Sequence, residues 1–258
     1  MAFDFDHTII NDNSDIVARN MLNSPIPDSV AKLYRTDGWT SYMQNIFELL
    51  KSDGFSPLQV QSAIKKIPHA PGMDTLLKNL HQRGDTEIII ISDSNSVFIS
   101  DWLENASVDH IVNKTFTNPA FFDDSGLLNI NMFHEQDWCN LSTKNLCKGH
   151  ILQSYIEERA QNGVNFDCVG YVGDGHNDLC PCLKLSATDL AFPRKDYTLA
   201  KTISKDDFEH KIEAKVHIWE SGQDIWDIIN KHLPPNEWRS IYKARTLYYF
   251  LHVKWQIS

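Results

Sequence analysis

The chain has 258 residues, 42% of them hydrophobic, and a formal net charge of -10. That length and apolar content support a substantial core, in one domain or in a core plus a smaller insertion. The acidic balance argues against a general nucleic-acid binder, which needs clustered Lys and Arg; there is also no apolar run of bilayer length and no basic, apolar leader in residues 1–10, so no membrane association is expected.

Taken in order, Ala2-Phe3 reads as a short apolar strand ending at Asp4-Phe5-Asp6-His7-Thr8. Strand alternation would put Asp4 and Asp6 on one side and Phe3 and Phe5 on the other. A polar stretch, Asn11 to Asp15, follows. Residues 26–67 then carry apolar spacing for short helices, including Trp39, Tyr42, Met43, Ile46, Phe47 and Leu50, with Pro57 placed as a first-turn residue. Between Pro71-Gly72 and Gly84, Met73, Leu76, Leu77 and Leu80 form the stripe of a further helix. Thr86 to Ile91 is a β-branched run that predicts a fully buried parallel strand. Strand and helix patterns alternate from there: a helix over 95–106, a strand near 111–117, a helix over roughly 146–161, a strand Cys168 to Val172, another at 189–192 and a last near 216–219. Such alternation predicts a parallel α/β sheet with ligands at the carboxyl ends of its strands. About seventy residues separate the first two strands, too many for one crossover helix, which predicts a helical insertion over 12–70 lying across the strand ends as a lid. The expected division is a core of 1–11 and 71–233, the insertion 12–70, and a tail 234–258 without a core role. The five cysteines, Cys139, Cys147, Cys168, Cys180 and Cys182, fit reduced thiols better than a disulfide framework, so a cytoplasmic location is expected.

Four polar groups fall at the predicted strand ends. Asp4 and Asp6 are two carboxylates that repel unless a cation or proton intervenes, which points to a divalent metal or a shared acid/base task. Ser92-Asp93-Ser94-Asn95 offers hydroxyls and amides near a helix start, an anion site or simply a helix cap. Lys148 heads a helix, against the preference of that end for negative charge, although most lysines are simply solvated. Gly173-Asp174-Gly175-His176-Asn177-Asp178 brings two carboxylates to one turn; as a calcium loop it lacks the later Glu. Phosphate-ester chemistry needs a nucleophile, a proton donor for the leaving oxygen, positive charge on the equatorial oxygens and fixed donors, and these four groups supply them together.

The runs Phe3-Asp4-Phe5-Asp6-His7-Thr8, Ile90-Ile91-Ser92-Asp93-Ser94-Asn95, Gly173-Asp174-Gly175 with Asn177-Asp178, and Pro193-Arg194-Lys195 resemble those of haloacid-dehalogenase-superfamily phosphatases. More closely they are similar to the pyridoxal-phosphate phosphatase and phosphoethanolamine/phosphocholine phosphatase family, over roughly 1–233. The resemblance implies a Rossmannoid α/β fold with a small helical cap of the C1 type after the first strand. It implies Asp4 as nucleophile, forming an aspartyl phosphate, and Asp6 as general acid and base. It also implies Mg2+ held by Asp4, the Asp6 main-chain carbonyl and Asp174, with Asp178 orienting the loop. Ser92 and Lys148 would bind the phosphoryl oxygens, and Asp15, Asp93 and Asn95 would face the substrate. The implied substrate is a small phosphate ester, pyridoxal 5′-phosphate first and phosphoethanolamine or phosphocholine second.

Some features depart from that pattern. Only Met1-Ala2-Phe3 precede Asp4, fewer residues than the family's first strand carries, so a start upstream is expected. Relatives have Cys-x-x-Cys-Pro where this chain reads Cys139-Asn140-Leu141-Ser142-Thr143, which argues against a zinc or redox role for that loop. His176, usually a small residue in relatives, has two open readings, a solvent-facing loop histidine first and a substrate contact second. Two other classes stay open at this level: a non-catalytic phospho-acceptor with the same acidic pocket, and an inactive paralogue. Oligomeric state is not encoded legibly.

Overall fold

The computed structural model describes residues 1–36, 38–205 and 211–233; the tail expected over 234–258 lies outside the described residues. Six parallel strands form the main sheet: β1 (Ala2–Phe3), β2 (Ile89–Asn95), β3 (Lys114–Asn118), β6 (Gly170–Gly173), β7 (Leu190–Pro193) and β8 (Lys215–Val216), in the order β3-β2-β1-β6-β7-β8. A separate hairpin pairs β4 (Ala120–Phe122) with β5 (Leu128–Ile130). Although two residues long, β1 lies at the sheet centre, Phe3 pairing with Ile90 on one side and Val172 on the other. The chain builds outward from β1 through β2 to β3, then returns to β1's other side to lay down β6, β7 and β8. That reversal opens a crevice at the carboxyl ends of β1 and β6, where doubly wound sheets bind their ligands.

Alternation along the strands divides the core in two. Phe3, Ile88, Ile90, Val172 and Phe192 join a cluster with α5 (Met73–Arg83), α6 (Ser96–Asn105) and the helix Gly222–His232. Ala2, Ile89, Ile91, Tyr171 and Ala191 join α7 (Lys148–Gln161), α8 (Leu179–Cys182) and α9 (Thr198–Ile203) on the opposite face. A β-branched run buried on both faces gains apolar burial at every residue, which explains why Ile88 to Ile91 was legible as a central strand.

Between β1 and α5 the chain passes through four helices: α1 (Ser14–Arg19), α2 (Asp28–Thr36), α3 (Trp39–Ser52) and α4 (Pro57–Lys65). Tyr42, Met43, Ile46, Phe47 and Leu50 of α3 are buried and Trp39 is half-buried, and Pro57 opens α4 behind a Ser56–Gln59 capping box. These helices share the first cluster with α6, and Lys65 and Gln61 both reach Asp101 (3.2 and 2.8 Å), fastening α4 to α6. Among the described residues no helix is long and apolar enough to cross a membrane.

Two expectations are corrected, and one element is new. The strand expected over Thr86–Ile91 begins only at Ile89 and runs through Asn95, with an irregular register between Ile91 and Asn95 where it meets β3. The strand near 111–117 begins only at Lys114, behind a 3-10 turn at Asp109–Ile111. The β4–β5 hairpin was not foreseen: its strands have three residues each and no alternation long enough to read.

Candidate active site

Strand β1 stops at Phe3, so Asp4-Phe5-Asp6 belongs to the turn that leaves it and strand alternation does not place the two carboxylates. The turn does. Asp4 keeps a last ladder bond, its amide donating to the Val172 carbonyl (2.9 Å), and the amides of Ile9 and Ile10 fold back onto the Phe5 carbonyl (2.9 and 3.1 Å). His7 has φ +53°, a strained position for a non-glycine residue. Arg194 offsets that strain by donating to the His7 carbonyl and to Asn11 Oδ1, while its guanidinium lies over the Tyr197 and Trp219 rings. Asp6 meets the start of α1, where the Ser14 amide donates to its Oδ1 (2.7 Å).

Lys148, the first residue of α7, is completely buried. Its ammonium pairs with Asp4 Oδ1 and Asp178 Oδ1, each at 2.8 Å. Asp178 is fully engaged: Oδ1 also accepts from the Tyr171 hydroxyl (2.6 Å), and Oδ2 accepts from the amides of Asp174 and Gly175 (3.0 and 2.9 Å). Gly173 makes this wrap possible, because a Cβ there would lie 2.5 Å from the Asp178 carboxyl carbon. Asp178 is thus the hub that shapes the acidic loop. Asp4 and Asp174 keep more free capacity, with Thr8 Oγ1 only 3.5 Å from Asp174 Oδ1.

The segment Ser92–Asn95 completes the rim. Ser92 is buried and accepts from the Ser94 amide (3.3 Å); the Ser94 and Ser14 hydroxyls are 2.8 Å apart. Neither serine caps α6. That task falls to Asn95, whose Oδ1 accepts from the Phe98 amide (3.0 Å). Asp93 accepts from the Asn177 side chain (3.0 Å), tying the segment to the acidic loop. Asp15 is buried, with Oδ2 accepting from the Trp39 indole (2.6 Å) and Oδ1 without a hydrogen-bond partner among the described residues. His176 is exposed, as its first reading has it.

The electrostatics follow from crowding buried acids into one site. Burial pushes the Asp4 carboxyl up to about 7 against the pull of Lys148, and pushes Asp174 up to about 8 with help from Asp4 and Asp178. Asp6 is held well above its usual range by burial and by Asp15, and burial takes Asp15 itself to about 7. Lys148 is raised: burial opposes its charge, but Asp178 and Asp4 outweigh it. Asp4, Asp174 and Asp178 carry ligand oxygens within 4.8 Å of one another. With a single ammonium between them, the three carboxylates keep an uncompensated charge of about two when ionised. Hard oxygen donors with that deficit fit a small divalent cation.

Asp4, Lys148, Asp174 and Asp178 thus meet beyond β1 and β6, with Asp93 tied to the same loop through Asn177, while the Asn95 side chain is taken up in capping α6. Sequence reasoning gave no site role to Tyr171, Ser14 or Trp39, and took Arg194 only as part of the run Pro193-Arg194-Lys195. Tyr171 reads as a core strand residue, and only its hydroxyl distinguishes it; Ser14 and Trp39 lie in helices whose approach to the strand ends is tertiary.

A parallel sheet whose strand order reverses at β1 sets a buried lysine among carboxylates at that point, an arrangement suited to phosphate-ester chemistry. The fold agrees with solved structures: a phosphoserine phosphatase phospho-aspartyl intermediate analogue superposes with a TM-score of 0.56 at 20% identity, over 88% of this chain and 96% of that one. The family model described as "Putative Phosphatase" matches residues 1–233, and the chain belongs to that family. It is 42% identical to the pyridoxal phosphate phosphatase PHOSPHO2 of Homo sapiens, over 87% of this chain and 94% of that protein. It is 34% identical to the phosphoethanolamine/phosphocholine phosphatase of Homo sapiens, over 87% of this chain and 85% of that one. The chain is a phosphomonoester hydrolase.

Proposed function

We propose that the chain is a Mg2+-dependent phosphomonoesterase working through an aspartyl phosphate on Asp4, with pyridoxal 5′-phosphate as its preferred substrate. The observation that carries the mechanism is the pairing of unlike carboxylates: Asp4 fixed by Lys148, and Asp6 at the start of α1 with its proton held well above the usual range. Asp4 attacks phosphorus while Asp6 gives its proton to the departing ester oxygen. Asp6 then takes a proton from the water that attacks the acyl phosphate, releasing phosphate and restoring Asp4. Lys148 and Ser92 bind the phosphoryl oxygens. The carboxylates of Asp4 and Asp174 and the Asp6 main-chain carbonyl would hold Mg2+, with Asp178 orienting their loop; bound there, the dication neutralises charge on the phosphoryl group and on the carboxylates. Helices α1 to α4, within the insertion 12–70, act as a cap over a core of 1–11 and 71–233, bringing Ser14, Asp15 and Trp39 to the strand ends.

The substrate assignment leans on the 42% identical relative named for pyridoxal phosphate. The second reading, phosphoethanolamine or phosphocholine, is favoured by Asp15, whose buried unpartnered oxygen suits a cationic amine. Phosphate release from a panel of these esters decides between them. The expected result is highest kcat/KM on pyridoxal 5′-phosphate, loss of turnover in EDTA and recovery with Mg2+. Preference for the amine esters would install the second reading, and turnover surviving exhaustive chelation would refute the metal requirement.

The raised carboxyls give a second expectation. Asp4 and Asp15 near 7 and Asp174 near 8 all exceed the ordinary 3.8 of the unfolded chain. The stability they contribute is complete below their unfolded value and is lost as pH rises through 7 to 8, because the folded state must then ionise against burial. Without metal, Tm is expected to fall between about pH 5.5 and about pH 8.5, and added Mg2+ should raise Tm more at the higher value, where the carboxylates are free of protons. Scanning calorimetry checks this; a metal-induced rise that shrinks with pH contradicts it.

A further inference from the structure

We infer that Cys139, Cys147 and Cys180 form a thiolate site for a zinc ion, separate from the carboxylate site, that fastens the loop before Lys148 to the segment after Asp178. No two of these thiols are neighbours in sequence. The loop 131–147 supplies Cys139 and Cys147, and α8 supplies Cys180. Their sulfurs converge: Cys180 lies 3.4 Å from Cys139 and 3.8 Å from Cys147, and all three are within 4.8 Å of one another. Thiolates on a tetrahedral zinc, with Zn–S near 2.3 Å, stand about 3.8 Å apart, so the spacing already matches. All three thiols are free, so disulfide bonding does not explain the approach.

The surroundings are built around the cluster. Cys147 is the N-cap of α7, so the negative charge left by three thiolates on one dication faces the positive end of that helix. Gly149 leaves the space for Cys180; a Cβ there would sit 2.5 Å from its sulfur. The Leu141 amide donates to the Cys139 sulfur, a bond that favours the thiolate. Gln136 holds the loop in shape, accepting from the Cys139 amide (2.8 Å) and donating to the carbonyls of Cys139 and Thr143 (3.1 and 2.6 Å). Cys147 and Cys180 are buried while Cys139 is partly exposed, which gives the ion an entry side. Ser142, its hydroxyl 3.5 Å from the Cys139 sulfur, or a water takes the fourth position. Thiolates in tetrahedral array select zinc over Mg2+, so the two metal sites do not compete for one ion.

A long loop without helix or strand inside a compact fold needs fastening, and here it leads directly into Lys148. The expectation that Ser142 in place of a second loop cysteine argues against zinc is therefore reversed: the partners of Cys139 come from Cys147 and from across the fold.

The test is metal analysis of the full chain purified under reductant, with cobalt exchange as the spectroscopic probe. The expected result is one zinc per chain, and a near-ultraviolet thiolate-to-cobalt band on Co2+ loading. Cys139→Ser and Cys180→Ser should lose both, Cys168→Ser and Asp174→Asn should keep the band, and Ser142→Cys should slow zinc loss to a chelator. Protein that is folded, free of zinc and without a thiolate-to-cobalt band overturns the proposal, as does a Cys139–Cys180 disulfide found in its place. If the cysteine variants fail to fold, the cobalt spectrum of the unmodified chain still decides. These readouts do not depend on turnover, so failure here is distinct from failure of the phosphatase mechanism.

Discussion

Asp4→Asn is expected to lower kcat by about 10^4-fold or more on every ester while leaving the protein folded. The amide is a poor nucleophile toward phosphorus and cannot carry the acyl phosphate. It fills the same volume beside Lys148, so the packing at the end of β1 is kept. Lys148 retains its second carboxylate at Asp178, with the Tyr171 hydroxyl on the same oxygen. The substitution also removes one of the charges that burial opposes, so the metal-free Tm near pH 8 should hold or rise. Activity loss with preserved or higher Tm separates a lost nucleophile from a lost fold. Turnover within tenfold of the unsubstituted chain would remove Asp4 from the chemistry.

Asp6→Asn is expected to split the two half-reactions. An alkyl ester such as pyridoxal 5′-phosphate needs a proton on its departing oxygen, and the loss should be about 10^2- to 10^4-fold, the usual worth of a positioned general acid. An aryl ester with a stable phenolate leaving group needs no such proton, so Asp4 should be phosphorylated with a much smaller loss. The second half-reaction lacks its base whichever ester is used. The aspartyl phosphate should therefore accumulate with the aryl ester. Equal losses on alkyl and aryl esters in single turnover would mean that Asp6 moves no proton in the first step.

The candidate site was legible because its residues sit where the backbone must change state. Asp4, Ser92, Asp174 and Asp178 each follow an apolar strand run, and Lys148 opens a helix, so short local patterns located them. The same locality misled in detail. Asp4 and Asp6 looked like alternate positions of a strand, but β1 ends at Phe3 and a turn pinned by Arg194 arranges them instead. Ser92 and Ser94 looked like helix caps, whereas the irregular end of β2 hands that role to Asn95. Tyr171 hides inside a core strand, and Trp39 reaches Asp15 from another helix. The three thiols were invisible for the same reason, since only the packing of α7 against α8 brings Cys180 to the loop. Local pattern finds residues that a backbone transition presents; it does not find partners supplied by packing.

Covalent transfer through Asp4 is tested by acid-quenching the Asp6→Asn protein during turnover of an aryl phosphate with Mg2+ and mapping the phosphoryl group by peptide mass spectrometry. One phosphoryl group is expected on Asp4, sensitive to hydroxylamine as an acyl phosphate and absent from the Asp4→Asn, Asp6→Asn double variant. Continued phosphate release with Asp4 unmodified, or a phosphoryl group on any other residue, would contradict it.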